Sequence, residues 1–408
     1  MPRSLFGLAI LAFVSLLAIA PPIARAAAAP APSGELLANP GFESPLDEHP
    51  WMPADWDTSL TALPTVFFGR DTFLVHGGRW AVNVANTSTL VPTWHNWNQA
   101  IVVGPEAWGK DLVLSVWTRG NGLQGRAYIM LQAYRDTIGK MARIWGLPRD
   151  PAGKKLGINK LDDPILNLGW KRRYFSDPET DWVRREVRVF VPPTVNMVYV
   201  RCGLVGTGQV IFDDASLRAE PARPAPVAAI GANLFADPGF EGDGNEWEYS
   251  LPPYAGQRID RDTAVVHSGR ASVRYSSGIE GLIQARAGAC QVLGREVAGK
   301  HVRLSAWVKT DSLKLGGAYL RLYSNSPTRG VLQSDPGDNL SLTHDWTRLA
   351  VELDVPEDAA VTWAWLAYTA PATGLVWYDD AALEVLGPAR GAAAPTPKPA
   401  LLPQRPAR

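Results

Sequence analysis

Asn39-Pro40-Gly41-Phe42-Glu43 and Asp237-Pro238-Gly239-Phe240-Glu241 are two versions of one pentapeptide, and each opens a block of similar sequence. Both blocks then pass the same landmarks in the same order: His-x-Gly-Arg, Gly-Lys, Leu-Ser-x-Trp, Asp-Trp and Val-Pro. Each block closes on a pair of aspartates, Asp213-Asp214 in the first and Asp379-Asp380 in the second. So many matches in one order indicate an internal repeat of domain size.

The repeat and the local composition divide the 408 residues into segments. The first block is longer between Leu-Ser-x-Trp and Asp-Asp, and its extra residues, near 138–176, are rich in aromatic and cationic side chains. Stretches rich in Ala and Pro predict extended or unstructured chain. The predicted segments are a signal peptide (1–26), a flexible segment (27–34), the first domain (35–219), a Pro/Ala linker (220–231), the second domain (232–386) and a disordered tail (387–408).

The first 26 residues resemble a secretory signal: Arg3, an apolar run from Leu5 to Ala20, and Ala24-Arg25-Ala26 as the cleavage site. The alternative is a retained membrane anchor, although the apolar run is short for a span. We therefore expect a secreted or periplasmic protein that has no membrane contact after cleavage, and we expect a monomer.

Alternation with a period of two dominates both blocks. Leu114 and Val116 alternate with Ser115 and Trp117, and similar short segments are separated by Gly, Pro and Asp turns. This pattern is typical of half-buried antiparallel strands. The predicted fold class is all-β, with two tandem jelly-roll β-sandwich domains joined by the linker.

Charge and cysteine content limit the class of partner and the state of the two thiols. Lys and Arg number 40, as do Asp and Glu, so the net charge of zero argues against nucleic acid as the main partner. Cys202 alternates with apolar residues and is predicted to be a buried free thiol, while the redox state of Cys290 stays open.

No nucleophile–base motif or metal-spaced histidine cluster supports catalysis. The carboxylates Asp162, Asp163, Asp177 and Glu179 are glycosidase candidates by residue type only.

On the predicted strands, the side chains that point away from the predicted core are a mixture of aromatic rings and hydrogen-bonding groups. Flat rings suit the apolar faces of a sugar, and Arg and Gln suit its hydroxyls, as in small-ligand sites. The alternative is that other parts of the chain cover this face. The candidate carbohydrate-binding residues are Trp117, Arg119, Tyr128, Gln132, Tyr134, Tyr199, Arg201, Trp307, Tyr319, Arg321, Tyr323, Trp363 and Trp365.

Acidic residues at both ends of each block suggest a cation site. If the first and last strands of each sandwich meet, Glu43 lies near Asp213 and Glu241 lies near Asp379. Carboxylates together with backbone carbonyls are the ligands that Ca²⁺ prefers, and we expect the turns at Gly78 and Gly269 to supply the carbonyls. The alternative is that these are surface acids at strand ends.

The ordered set of motifs, from Pro-Gly-Phe-Glu to Asp-Asp, resembles carbohydrate-binding modules of the cellulase-C type, family 4/9, which are related to family 22. The resemblance covers both blocks. It implies galactose-binding-like jelly rolls, a structural Ca²⁺ in each domain, and a concave sheet that binds a polysaccharide such as a glucan or xylan chain. Glu43, Asp213, Glu241 and Asp379 match the expected metal ligands.

The sequence thus predicts a secreted, non-catalytic, carbohydrate-binding protein. The alternatives are a structural or protein-interaction module of the cell envelope and, third, an activity associated with glycoside hydrolysis that is built from the insertion.

Overall fold

The structure, a computed structural model, describes residues 34–59, 64–88, 94–136, 165–176, 181–250, 257–278, 287–335, 337–368 and 372–390. The predicted signal sequence, most of the insertion near 138–176 and most of the tail lie outside these ranges, so export and the tail stay predictions. Within the described ranges, no helix is long and apolar enough to span a membrane.

The first repeat is built from antiparallel strands and one short 3-10 turn, Pro105–Ala107. Its strands are β1 (Pro45–Leu46), β2 (His49–Pro53), β3 (Asp57–Thr58), β4 (Val66–Asp71), β5 (Ala81–Asn86), β6 (His95–Val102), β7 (Lys110–Asp136), β8 (Ile165–Phe175), β9 (Val183–Phe190) and β10 (Met197–Pro221).

The second repeat follows the same plan, with a 3-10 turn at Arg295–Val297. Its strands are β11 (Glu248–Ser250), β12 (Gln257–Asp262), β13 (Ser272–Ser277), β14 (Ala287–Leu293), β15 (Lys300–Ser326), β16 (Gly330–Gln333), β17 (Leu340–Asp354), β18 (Val361–Tyr368) and β19 (Thr373–Pro388).

Each repeat has two sheets because its long strands pass from one sheet to the other. The second half of β7 pairs with β8 and with the first half of β10, and we call this the front sheet, which β6 and β3 complete. The first half of β7 pairs with β9 and with the second half of β10, and we call this the back sheet, which β5 and β4 complete.

The second repeat has the corresponding pair of sheets. Its front sheet contains β11, β14, β18, the second half of β15 and β16, and its back sheet contains β12, β13, β19, the first half of β15 and β17. Where β7 and β10 cross between sheets, Gly206 has a φ of 106°, and an added Cβ would lie 2.8 Å from the carbonyl oxygen of Gln124. Glycine at this crossing lets the two strands bend together from one sheet into the other.

The core lies between the two sheets of each repeat. Leu114 and Val116 from the back sheet and Ile129, Leu131 and Val200 from the front sheet are fully buried in one cluster. A second cluster, which includes Leu304, Leu320 and Leu366, fills the second repeat. The alternating pattern therefore identified the core stripes, and the predicted class, all-β with two tandem jelly-roll sandwiches, is confirmed.

Candidate functional site

The candidate carbohydrate-binding residues do not share one face. Trp117 and Arg119 pair with the second half of β10 and lie in the back sheet, as Trp307 does in the second repeat. Tyr128, Gln132, Tyr134, Tyr199 and Arg201 lie in the front sheet of the first repeat. The expectation of one continuous face is wrong, because β7 and β15 change sheets between these positions.

The front sheet of the first repeat gains side chains from β8. The register shifts between Ala133, which pairs with Gly169, and Tyr134, which pairs with Asn167, so β8 has a β-bulge at Leu168. A bulge changes which side chains point to a given face of a sheet. Beyond the bulge, Trp170 pairs with Gln132, Arg172 with Met130, and Tyr174 with Tyr128. Tyr128, Met130 and Tyr174 form a small cluster outside the main core, against which Trp170 packs, and Arg172 contacts Met130.

The front sheet of the second repeat carries a row of residues that runs across its strands. Glu248 pairs with Cys290, Cys290 with Trp365, and Trp365 with Arg321. The flanking residues Ala289, Leu366 and Leu320 belong to the core, so this row faces away from it. Trp363 and Tyr323 form the next pair on the same face.

The two front sheets contact each other at one charged pair. Arg172 Nη1 lies 2.5 Å from Glu248 Oε2, and the Tyr174 hydroxyl donates to the same oxygen at 2.9 Å. The side chains of Arg172 and Glu248 are 7% and 14% exposed. Burial alone would lower the pKa of the guanidinium, but the charge of Glu248 holds that pKa above its usual value. Burial also raises the pKa of Tyr174 well above its ordinary range.

Further contacts between the repeats extend on both sides of this pair. Arg126 Nη1 donates to the carbonyl oxygens of Gly244 and Trp247, at 2.8 and 3.0 Å. Arg135 Nη1 donates to Pro327 O at 2.7 Å. These bonds tie cations of the first repeat to backbone carbonyls of the second.

The edge strand β8 lies across the front sheet of the second repeat. Asn325 Nδ2 donates to Asn167 O at 2.7 Å, and Asn245 Nδ2 donates to Ser176 Oγ at 3.1 Å. Between these ends, the rings of Trp170 and Trp363 meet edge to face with centroids 6.5 Å apart. The contacts follow β8 from one end to the other.

Several of the candidate residues are less exposed than the sequence predicts. Tyr128, Gln132 and Tyr199 are at most 2% exposed, and Tyr319 is 7% exposed. The expectation of an open, solvent-facing groove is therefore wrong for these four. Partial exposure is retained by Tyr134, Arg201, Arg321, Tyr323, Trp363 and Trp365.

Some polar atoms on the apposed sheets are buried without a hydrogen-bond partner. In the part of the chain that the structure describes, these include Gln132 Oε1, Trp170 Nε1 and Arg321 Nε. Gln132 and Trp170 are cross-strand neighbours, and Arg321 lies on the opposing sheet. Buried polar groups in native proteins nearly always have partners.

The acidic residues proposed as metal ligands meet at one turn, as expected. Glu43 Oε1 accepts the backbone N–H groups of Arg79 and Trp80, at 2.8 and 3.2 Å. Asp213 Oδ2 accepts those of His76 and Gly77, at 2.7 and 3.1 Å. A Cβ at Gly78 would overlap the Glu43 carboxylate, so glycine is required for this approach.

The second repeat has the same arrangement of two carboxylates bound to the backbone of one turn, and we call this arrangement the corner of each repeat. Glu241 Oε1 accepts the N–H groups of Arg270 and Ala271, and Asp379 Oδ2 accepts those of His267 and Ser268. The backbone of each turn therefore donates to the carboxylates, in addition to any carbonyls it could offer a cation.

Asp213 and Asp379 are buried carboxylates. Burial raises the pKa of Asp213 to about 6, against the effect of its backbone hydrogen bonds, and burial also raises that of Asp379. Among the described residues, neither has an ion-pair partner, and no group of three or more His, Cys, Asp or Glu side chains is arranged to hold a metal. Any Ca²⁺ here would be held by Glu43 with Asp213, or Glu241 with Asp379, together with backbone oxygens.

Trp117 and Trp307 belong to these corners rather than to the front sheets. The ring of His76 stacks on Trp117 with centroids 3.9 Å apart, and His267 stacks on Trp307 at 4.1 Å. Each histidine also bonds the second aspartate of its pair through Nδ1. Packing explains both tryptophans.

The remaining candidates are placed as follows. Cys202 and Cys290 are both buried free thiols, which confirms the prediction for Cys202. Both lie on front-sheet strands, but Cys202 belongs to the core cluster, whereas Cys290 lies on the face that points away from the core. Asp162, Asp163, Asp177 and Glu179 lie outside the described residues.

No protein-family model matches the chain. An uncharacterized HTH-type transcriptional regulator of Bacillus subtilis (strain 168), YbfP, is 31% identical over 130 residues. That match covers 31% of this chain and 42% of the relative, so the chain spans less than half of the relative's length.

Solved structures similar to the chain include carbohydrate-binding modules. The tandem of two family 22 modules from Paenibacillus barcinonensis Xyn10C is 14% identical and covers 88% of this chain and 100% of that chain, with a TM-score of 0.30. The C-terminal family 22 module of Clostridium thermocellum Xyn10B is 17% identical, covering 41% of this chain and 100% of its own, with a TM-score of 0.31.

Removing the Glu248 carboxylate tests the contact between the repeats. In Glu248→Ala, Arg172 keeps its charge in a buried setting without its partner, and breaking such a pair costs about 3–5 kcal/mol. We expect chemical denaturation to show a loss of that size. The surface pair Lys309–Asp345, in which Asp345 is 85% exposed, is the control, and Asp345→Asn should leave the stability nearly unchanged because solvent screens such a pair.

The double variant Arg172→Met/Glu248→Met should recover most of the lost stability, because apolar side chains often replace buried ion pairs without loss. Equal losses in Glu248→Ala and Asp345→Asn would contradict a buried, partner-dependent pair.

Proposed function

We propose that the protein is a carbohydrate-binding protein of two tandem jelly rolls, that it acts without catalysis, and that it recognises a polysaccharide of glucan or xylan type. The observation that carries the proposal is the composition of the apposed front sheets. Aromatic rings such as Trp170, Trp363 and Trp365 stand beside hydrogen-bonding groups such as Gln132 and Arg321. Rings and hydrogen-bonding groups together suit the two kinds of surface that a pyranose presents.

A second candidate is a structural or interaction module, in which the front sheets only hold the repeats together. The burial of the Arg172–Glu248 pair between the repeats favours it. The two candidates differ in one respect: only the first predicts that the mature chain binds a glycan.

Glycan binding and the role of Trp365 can be measured together. We expect the mature chain to bind a β-glucan or xylan on a glycan array. Trp365→Ala should weaken binding about tenfold or more, because a stacked aromatic ring contributes roughly 1–3 kcal/mol, by analogy with base stacking. Phe73→Ala is the matched control, since Phe73 is 93% exposed in the turn after β4.

The melting temperature of Trp365→Ala must be recorded with its affinity, so that loss of fold is not mistaken for loss of contact. An array without any glycan signal would favour the structural module. Wild-type affinity in folded Trp365→Ala would exclude this ring from the site.

We also propose that each repeat holds one structural Ca²⁺ at the corner of Glu43 and Asp213 and at the corner of Glu241 and Asp379. The cation would balance a buried carboxylate, and a ligand that binds only the folded state raises stability by mass action. Excess Ca²⁺ should therefore raise the thermal midpoint and EDTA should lower it.

Substitutions that keep the shape of the corner provide the control for the metal. Glu43→Gln and Glu241→Gln retain an oxygen that accepts the two backbone N–H groups but remove the charge. Each should reduce the Ca²⁺-dependent rise in midpoint, and the double variant should abolish it. A wild-type midpoint that responds to neither Ca²⁺ nor EDTA would end this proposal.

A further inference from the structure

We propose that the two front sheets form one composite site that holds a single glycan chain between the repeats, instead of two independent grooves. This inference rests on the proposed carbohydrate binding and adds its stoichiometry and its residues. It requires that side chains of both repeats contact the same ligand.

The first support is that the two sheets are already joined where the aromatic residues lie. Trp170 of the first repeat contacts Trp363 of the second, with ring centroids 6.5 Å apart. Trp365 and Arg321 form the neighbouring pair on the second sheet. Because β8 lies across that sheet, a glycan that reaches Trp363 also meets side chains of the first repeat.

The second support is the set of buried polar atoms without partners. Gln132 is 2% exposed, and its Oε1 accepts no hydrogen bond, while its Nε2 donates to the Tyr134 hydroxyl at 2.6 Å. Trp170 Nε1 and Arg321 Nε are donors without acceptors in the described structure. One free acceptor and two free donors are therefore divided between the opposed sheets.

The chemistry of these atoms indicates the class of ligand. A sugar hydroxyl both donates and accepts, so neighbouring hydroxyls can satisfy an amide oxygen, an indole N–H and a guanidinium N–H. Arg172 lies over the Trp170 ring and is neutralised by Glu248, while Arg321, a cation within the cluster, donates through Nη1 to Ser334 O. A hydroxyl-rich oligosaccharide fits this combination of rings and unpaired polar atoms.

Calorimetric titration of the full mature chain with xylohexaose and with cellohexaose tests the inference. We expect one oligosaccharide bound per chain. Gln132→Met in the first repeat and Arg321→Met in the second should each lower the affinity of that single event about tenfold, which corresponds to about 1.4 kcal/mol, because each variant loses a hydrogen bond to the ligand.

The choice of variants separates ligand contact from folding. Gln132→Met removes an acceptor that no group in the described part of the chain satisfies, together with the Nε2 donor to the Tyr134 hydroxyl. The melting temperature of each variant is therefore recorded beside its affinity, and the affinity should fall in protein that is still folded. Arg119→Met is the matched control, because Arg119 lies in the back sheet and should leave the affinity unchanged.

Three results would overturn the composite site. The first is two oligosaccharides bound per chain, and the second is a loss of affinity confined to variants of one repeat. The third is an affinity that rises when a front-sheet side chain is removed, which is expected if each repeat blocks a separate groove on the other. In each of these cases carbohydrate binding itself stands. Failure of the chain to bind any glycan on the array would instead remove the proposed function and this inference with it.

Discussion

A buried ion pair, Arg172 with Glu248, fixes how the two repeats meet. Both side chains are largely covered, and Arg172 also lies over the rings of Trp94 and Tyr128. Sliding one sheet past the other would separate the charges while both remained covered, which costs several kcal/mol. The pair therefore sets the register in which Trp170 reaches Trp363, and the candidate carbohydrate surface depends on that register.

The repeats have kept their corners alike and their front edges different. The turns that bind Glu43 and Glu241 use the same backbone donors, and each histidine stacks on the equivalent tryptophan. At the front edge, the first repeat has the eleven-residue strand β8, whereas the second has the four-residue β16. The longer edge supplies the Arg172–Glu248 pair and the Trp170–Trp363 contact, so the asymmetry of the two blocks contributes to their packing.

Periodicity and repetition predicted the fold class, the core stripes and the corner that joins Glu43 to Asp213, because burial and strand pairing act within each repeat. They failed for Trp117 and Trp307, since strict alternation does not reveal that β7 and β15 turn from one sheet into the other. The bulge at Leu168 of β8, which orients Trp170 and Arg172, is equally hidden. The Arg172–Glu248 pair joins separate repeats, and only the concentration of aromatic and cationic residues near 138–176 hinted at it.

The most direct test of the apposed sheets is the reactivity of Cys290 in the folded, full mature chain. Cys290 lies in the front sheet of the second repeat and pairs with Glu248, on the face that points away from the core. It is nevertheless only 2% exposed, and burial raises the pKa of its thiol well above the ordinary value. Cys202, fully buried in the core of the first repeat, is the internal reference. Measured by mass spectrometry after alkylation, Cys290 should stay as protected as Cys202 until the chain unfolds. Rapid labelling of Cys290 while Cys202 remains protected would show that the front sheets are apart.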